Sequence, residues 1–425
     1  MEYKQLKKIL GIDLLETKPD NQKQYHFFEF QGENSAIKSL IQKIWITLSI
    51  KLSRYIRKNK LYVYFVYPSM HKPVAIFENN TPASDYFFNN IVYKSNHKLL
   101  NHLKQMYMRI LGIHPDIGGG VILESEIHQV TSILKQGVGH LDTENLSCLC
   151  VCTSNPVYLV FKPDSLNPDF AVHIEKNPND DKLSFRKQIY RSLPDNTAAP
   201  IGYVERNAEC FFIEEGVPGK PWFRIANRLK DNNFKKELAS SSKDVLLKFQ
   251  HAISEIEGRT EVIYIKQELI SAYSEYNEYN ISSSQLTVII DDLISKLDFD
   301  SKVIAYSQHG DFCINNLLIG SDLKNIVIID FEDFGKIDVP LFDEFSLALS
   351  FYMFSENEGW EYLSKILKYF IEDRIVEFQL DENEVDALFF IHLFRKMGKW
   401  SQNRQDFKIW LEEILQLFLL NINSS

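Results

Sequence analysis

Asp311, Asn316 and Asp330 are the residue types that phosphoryl transfer requires, and their spacing can bring them to one place. They occur in two short runs. His309-Gly310-Asp311-Phe312-Cys313-Ile314-Asn315-Asn316 is followed, after a hydrophobic stretch, by Ile328-Ile329-Asp330-Phe331-Glu332. In such chemistry one aspartate orients the attacking hydroxyl and accepts its proton. An asparagine and a second aspartate hold the Mg2+ that bridges the phosphates of ATP. These roles fall to Asp311, then to Asn316 and Asp330 on the metal.

Positioning these groups requires a tight loop and a hairpin. Leu317–Ile319 and Ile326–Ile329 read as two short strands with Gly320-Ser321-Asp322 in the turn. Asp311 and Asn316 then stand at the two ends of one loop, and Asp330 ends the second strand. The three side chains converge at one mouth.

Read as H-G-D-x-x-x-x-N followed by I-D-F-E, the pattern resembles the aminoglycoside phosphotransferase and choline kinase superfamily, small-molecule kinases of the protein-kinase-like fold. The resemblance implies an α+β, two-lobed fold with a mostly helical C-terminal lobe, here with an additional N-terminal α/β domain. It also implies transfer of the γ-phosphoryl group of ATP to a hydroxyl of a small molecule such as a sugar, an amino alcohol or an aminoglycoside. Gly310 stands where protein kinases of the H-R-D type carry an arginine. Twelve residues separate Asp330 from Asp343, too few for a long activation segment. Pro340-Leu341-Phe342-Asp343 matches a P-x-x-D element of the family, in which Asp343 would order the catalytic loop; capping of the following helix is the simpler role for the same carboxylate.

Upstream, Leu146–Thr153, Val157–Lys162 and Phe170–Glu175 read as strands, with Lys182–Leu193 as a helix. Phe170-Ala171-Val172-His173-Ile174 is similar to the strand whose lysine holds the ATP phosphates, but His173 occupies the lysine position, leaving Lys162 or Lys176 to supply the charge. The helix offers Gln188 where the resemblance expects a glutamate. Phe212, Ile213, Glu214 and Glu215, ahead of Gly216-Val217-Pro218-Gly219, resemble the hinge whose main chain reads the adenine edge. Substitutions at the lysine and glutamate positions motivate an alternative: a catalytically inactive kinase-like binding module.

Composition sets the remaining bounds. With 45% hydrophobic and 13% aromatic residues over 425 positions, the chain can bury a large core in two or three domains. A net charge of −10 argues against general nucleic-acid binding. No secretory-signal pattern opens the chain, and no apolar run is long enough for a membrane span, so a cytoplasmic protein is expected. Cys148, Cys150 and Cys152 alternate along one strand, which places their thiols on one face, too far apart for a disulfide and collinear rather than tetrahedral about a metal.

The expected domains are an accessory segment over residues 1–140, a nucleotide-binding lobe over 141–217 and a catalytic, acceptor-binding lobe over 218–425. In the first, residues from Ile37 to Ile56 have helical spacing and Leu61–Tyr67 reads as a strand, while Asn79–Ser84 and Gly118-Gly119-Gly120 read as loops. In the last, Phe345–Phe354, Glu358–Phe378, Glu382–Trp400 and Asp406–Asn421 read as helices. Arg395, Lys396, Lys399 and Arg404 could grip an anionic substrate group, and Glu358, Glu361 and Asp373 an amine; a solvated helix surface is the plainer reading of both sets.

Overall fold

The computed structural model describes residues 25–29, 62–78, 81–91, 117–123, 128–139, 141–142, 145–152, 155–175, 180–206, 209–221, 225, 231–258, 261–320, 323–355, 359–402 and 404–422. The helix expected between Ile37 and Ile56 lies outside them, as does Lys176. The chain forms two compact units. One comprises residues 1–187 and 198–218, the other residues 188–197 and 219–425.

The first unit is built on an antiparallel sheet of nine strands: β1 (Tyr25–Glu29), β2 (Tyr62–Pro68), β3 (Pro73–Glu78), β4 (Gly119–Leu123), β5 (Ser147–Val151), β6 (Val157–Phe161), β7 (Phe170–Glu175), β8 (Pro200–Arg206) and β9 (Glu209–Glu215). Their order is β1-β4-β2-β3-β5-β6-β7-β9-β8. The division expected at residue 140 does not separate two sheets. Instead β3 pairs directly with β5, so Ala75, Ile76 and Phe77 lie opposite Val151, Cys150 and Leu149.

Among the helices accompanying these strands are α1 (Pro82–Tyr86), α2 (His128–Val138) and α3 (Asp180–Ser192), the last crossing the boundary between units at Lys187. Strand alternation divides the core between the two faces of the sheet. Tyr64, Val66, Cys150, Val172, Phe211 and Ile213 join Val130, Ile133 and Leu134 of α2 in one cluster. Val63, Phe65, Phe77, Leu149 and Phe161 join Ala83 and Tyr86 of α1 in the other. The three cysteines are free thiols on the α2 side, and burial pushes Cys148 up to about 12.

The glycine run expected as a loop is strand instead at Gly119 and Gly120. A Cβ on Gly119 would lie 2.5 Å from the Phe28 carbonyl oxygen, and one on Gly120 would lie 2.6 Å from that of Tyr64. Glycine serves there to let neighbouring backbones approach rather than to turn the chain.

The second unit contains β10 (Lys220–Pro221), β11 (Val262–Tyr264), β12 (Lys302–Ile304), β13 (Leu317–Ile319) and β14 (Ile326–Ile328). Its helices are α4 (Asn232–Glu257), α5 (Ile265–Tyr279), α6 (Ser284–Lys296), α7 (Phe342–Met353), α8 (Trp360–Phe378), α9 (Glu382–Met397) and α10 (Gln405–Ile422). Asp231 caps α4 by accepting from the amides of Asn233 and Phe234, and Gly258 at φ 76° ends it. Phe249 of α4 lies edge-on to His309 and Phe331, while its ring is tilted on Phe312, so the candidate loop rests on an aromatic floor. Gln250 of α4, Glu344 of α7 and Arg374 of α8 form a buried polar link: Gln250 Nε2 donates to Glu344 at 2.9 Å, and Arg374 Nη2 donates to Gln250 Oε1 at 2.7 Å. None of the described helices is long and apolar enough to cross a membrane.

Candidate active site

The hairpin expected downstream of Asp311 forms, with Leu317, Leu318 and Ile319 opposite Ile328, Val327 and Ile326. Asn316 and Asp330 flank its open end, where the Ile329 amide donates to the Asn316 carbonyl at 3.0 Å. The loop before the hairpin is held by its own backbone. The amide of Cys313 donates to Asp311 O and that of Asn316 to Cys313 O, both at 2.9 Å.

Asp311 is gripped at both carboxylate oxygens. Lys396 Nζ, from α9, donates to Oδ1 at 2.9 Å and to the Gly310 carbonyl at 2.8 Å. Asn316 Nδ2 donates to Oδ2 at 3.1 Å and to the Asp311 carbonyl at 2.8 Å. With its amide nitrogen committed to Asp311, Asn316 has its Oδ1 left for another partner, as a metal ligand would need. Burial acts to raise the pKa of Asp311, but the adjacent Lys396 ammonium overrides it and holds the group below the usual carboxylate range.

Asp330 follows β14 in the left-handed region, at φ 64° and ψ 69°. Its side chain keeps solvent contact, yet crowding by surrounding protein and then repulsion from Asp311 push its pKa up to about 6. A cation would relieve that repulsion. The donors at the hairpin end, an aspartate and an asparagine oxygen, are the hard ligands that Mg2+ accepts alongside waters and phosphate oxygens. Asp330 and Asn316 fit that ion.

His309, Gly310 and Asp343 support the loop from beneath. Asp343 accepts from the amides of His309 at 2.7 Å and Gly310 at 3.0 Å, one on each oxygen. It lies in the first turn of α7, whose N-cap is Leu341, so it orders the loop rather than capping the helix. Gly310 sits at φ 82°, and a Cβ there would lie 2.7 Å from the Asp333 carbonyl oxygen. This is why glycine separates the histidine from the aspartate. The His309 ring is buried against Phe331, with Nε2 3.2 Å from the Ile329 carbonyl, and burial drives its pKa down to about 4.

No family model matches the chain, and no curated protein matches it. Solved structures do match. One is described as an aminoglycoside phosphotransferase from Ralstonia eutropha: 13% identity, 64% of this chain and 97% of the other, TM-score 0.41. Another is aminoglycoside phosphotransferase APH(3'')-Id from Streptomyces rimosus in complex with ADP and streptomycin: 14% identity, 63% and 97% coverage, TM-score 0.37. A third is a macrolide 2'-phosphotransferase type I: 12% identity, 62% and 96% coverage, TM-score 0.34.

In the first unit, His173 of β7 lies opposite Phe212 of β9, with their rings 5.1 Å apart. Strand parity puts His173, Phe212 and Glu214 on the sheet face away from α2. Arg186 of α3 reaches that face, donating to Glu214 at 2.8 Å and stacking over Phe212 at 4.3 Å. The expected helix residue, Gln188, is exposed. A buried cation of the helix is therefore paired with an acid of β9, the strand next to the one that carries His173. Sequence reading missed it because Glu214 was read only as part of the hinge and Arg186 was given no role.

Lys162 pairs with Asp169 at 3.3 Å across the β6–β7 turn, and its amide donates to the same carboxylate at 2.8 Å. It locks the hairpin. Phe212, Ile213, Glu214 and Glu215 lie on a strand paired on both sides, to β7 and to β8, and the Glu215 amide donates to the Ala199 carbonyl at 2.9 Å. Ladder bonds thus engage the main chain that was expected to read an adenine edge.

The basic residues of the C-terminal helices divide by role. Arg395 pairs with Glu268 and Glu275 of α5 and ties two helices together. Lys396 turns to Asp311. Arg404 stacks on Trp400 at 3.8 Å, while the side chain of Lys399 lies outside the described residues. Of the acids, Asp373 pairs with Lys243 at 2.7 Å, Glu361 is exposed beside Lys365, and Glu358 lies outside the described residues.

Proposed function

We propose that this protein transfers the γ-phosphoryl group of ATP to a hydroxyl group of a small molecule. The observation that carries this reading is the clamped Asp311 beside the Asn316–Asp330 end of the hairpin. Asp311 is kept ionised by Lys396 and fixed in orientation by Asn316, which suits it to accept a proton from an incoming hydroxyl. Asn316 and Asp330 would hold Mg2+, which neutralises charge on the transferring phosphate when bound. Positioning supplies much of the rate enhancement in this chemistry, and a carboxylate held by two donors is well positioned.

A second reading, a binding module without turnover, is favoured by one observation in the first unit. Burial lowers the pKa of His173, so the position expected to hold a permanent positive charge is neutral. Arg186 is the cation nearest in role, and it is committed to Glu214.

Asp311→Asn separates the two readings. The variant should retain Mg2+-dependent binding of ATP and lose phosphoryl transfer by about 10²–10⁴-fold, the scale of general-base catalysis. Transfer at the wild-type rate to any acceptor found by screening sugars and amino alcohols would remove Asp311 from the role of base.

A further inference from the structure

Beside Asp311, the second unit encloses a cavity of about 430 Å³, a volume suited to a small metabolite. Its wall includes Asp311, Lys396, Trp400, Arg404, Phe407 and Trp410. Within it, Lys396 is neutralised by Asp311, which among the described residues leaves Arg404 as the cation not so committed. Among the described residues no carboxylate lies within ion-pair distance of the Arg404 guanidinium, which is held flat on the Trp400 indole. Trp400 is fixed in turn by its Nε1–H donating to Asp333 at 3.1 Å. The charge of Arg404 is felt at Asp311, where it helps lower that carboxyl's pKa.

A further feature of the wall also points to a ligand. Helix α10 begins at Gln405, and its first intrahelical bond runs from the Lys408 amide to the Arg404 carbonyl. The amides of Gln405, Asp406 and Phe407 therefore have no intrahelical acceptor, and all three residues line the cavity. Apart from Asp311, the described residues of the wall include one acid, Asp406. A polyamine-like acceptor would find little to neutralise it.

We infer that the acceptor is a hydroxyl compound bearing an anionic group, a carboxylate or a phosphate, held by Arg404 and the first turn of α10 while its hydroxyl faces Asp311. The apolar sides of Phe407 and Trp410 cover its carbon skeleton. This inference rests on the phosphotransferase reading for the fate of that hydroxyl, but not for binding of the anion.

Calorimetric titration of the full chain tests it, using gluconate, glucose 6-phosphate, glucose and kanamycin as probes. At least one of the two anions should bind about tenfold or more tightly than glucose and kanamycin, the scale of one charge-assisted contact. Which anion binds better distinguishes carboxylate from phosphate. Arg404→Gln should weaken that binding about tenfold, and Arg404→Glu should abolish it, with the unfolding temperature unchanged because the side chain is exposed. Equal binding of glucose, tighter binding of kanamycin, absence of binding by both anions, or full anion affinity in Arg404→Glu would each overturn the inference. Thermal stabilisation by Mg·ATP, measured on the same samples, keeps the two readings apart. Stabilisation without anion binding refutes the acceptor class alone; anion binding without stabilisation upholds the anion site and refutes phosphoryl transfer.

Discussion

Lys396→Met removes one ammonium from the site and leaves its helix intact. The lost contacts are those to Asp311 Oδ1 at 2.9 Å and to the Gly310 carbonyl at 2.8 Å. Lys396 has a side chain only 5% exposed, against 26% for Asp311, so the abandoned carboxylate is partly hydrated. Breaking a fully buried pair costs about 3–5 kcal/mol, and the hydration of Asp311 reduces this to roughly 1–3 kcal/mol. For a unit of this size that corresponds to a fall in unfolding temperature of about 2–10 °C. Asp311 has a depressed pKa in the folded state, so the pair stabilises the protein above the ordinary carboxylate value. That contribution disappears as pH falls through the lower, folded value. Thermal unfolding followed at several pH values should therefore show wild type and variant well separated near pH 7 and converging below about pH 4. A separation that is absent at pH 7, or that persists unchanged into acid, would refute the view that Lys396 maintains the Asp311 charge.

Two further outcomes follow from the loop and from the candidate metal ligands. Gly310→Ala should destabilise the protein by about 1–3 kcal/mol, because a side chain is strained at φ 82° and meets the Asp333 carbonyl at 2.7 Å; chemical denaturation measures it, and wild-type stability would contradict the strained-turn account. Mg2+-dependent ATP binding should weaken as pH falls below about 6, since Asp330 is protonated there and the proton competes with the cation, and should be constant above pH 7; a binding constant flat from pH 5 to 7 would exclude Asp330 as a ligand.

Much of this site was legible in the sequence because it is local. Asp311 and Asn316 lie five residues apart, and a hairpin returns Asp330 to them, so loop and turn chemistry alone bring the three together. Lys396 was read only as one of a basic cluster. Helical spacing assigns a residue to a face of its helix but carries no information about a loop 85 positions earlier. The Arg186–Glu214 pair was missed for a related reason: it joins a helix and a strand 28 positions apart, and helical spacing carries no information about that strand. Glycine was misread at Gly119 and Gly120, where local turn preference gave way to the close approach of Phe28 and Tyr64 on neighbouring strands. The boundary at residue 140 came from the onset of motif resemblance, whereas hydrogen bonding from β3 to β5 carries the sheet across it.

The most direct measurement of the central claim is calorimetric titration of ATP into wild type and Asp330→Ala, each with and without Mg2+. Asp330 is solvent-accessible at a strand end, so the variant should fold and unfold like wild type. The account predicts Mg2+-dependent ATP binding in wild type and its loss, by about tenfold or more, in the variant, since the charged ligand of the metal is gone. Wild-type protein that binds ATP no better with Mg2+ than without it, or an Asp330→Ala variant that keeps the full effect of Mg2+, would contradict it.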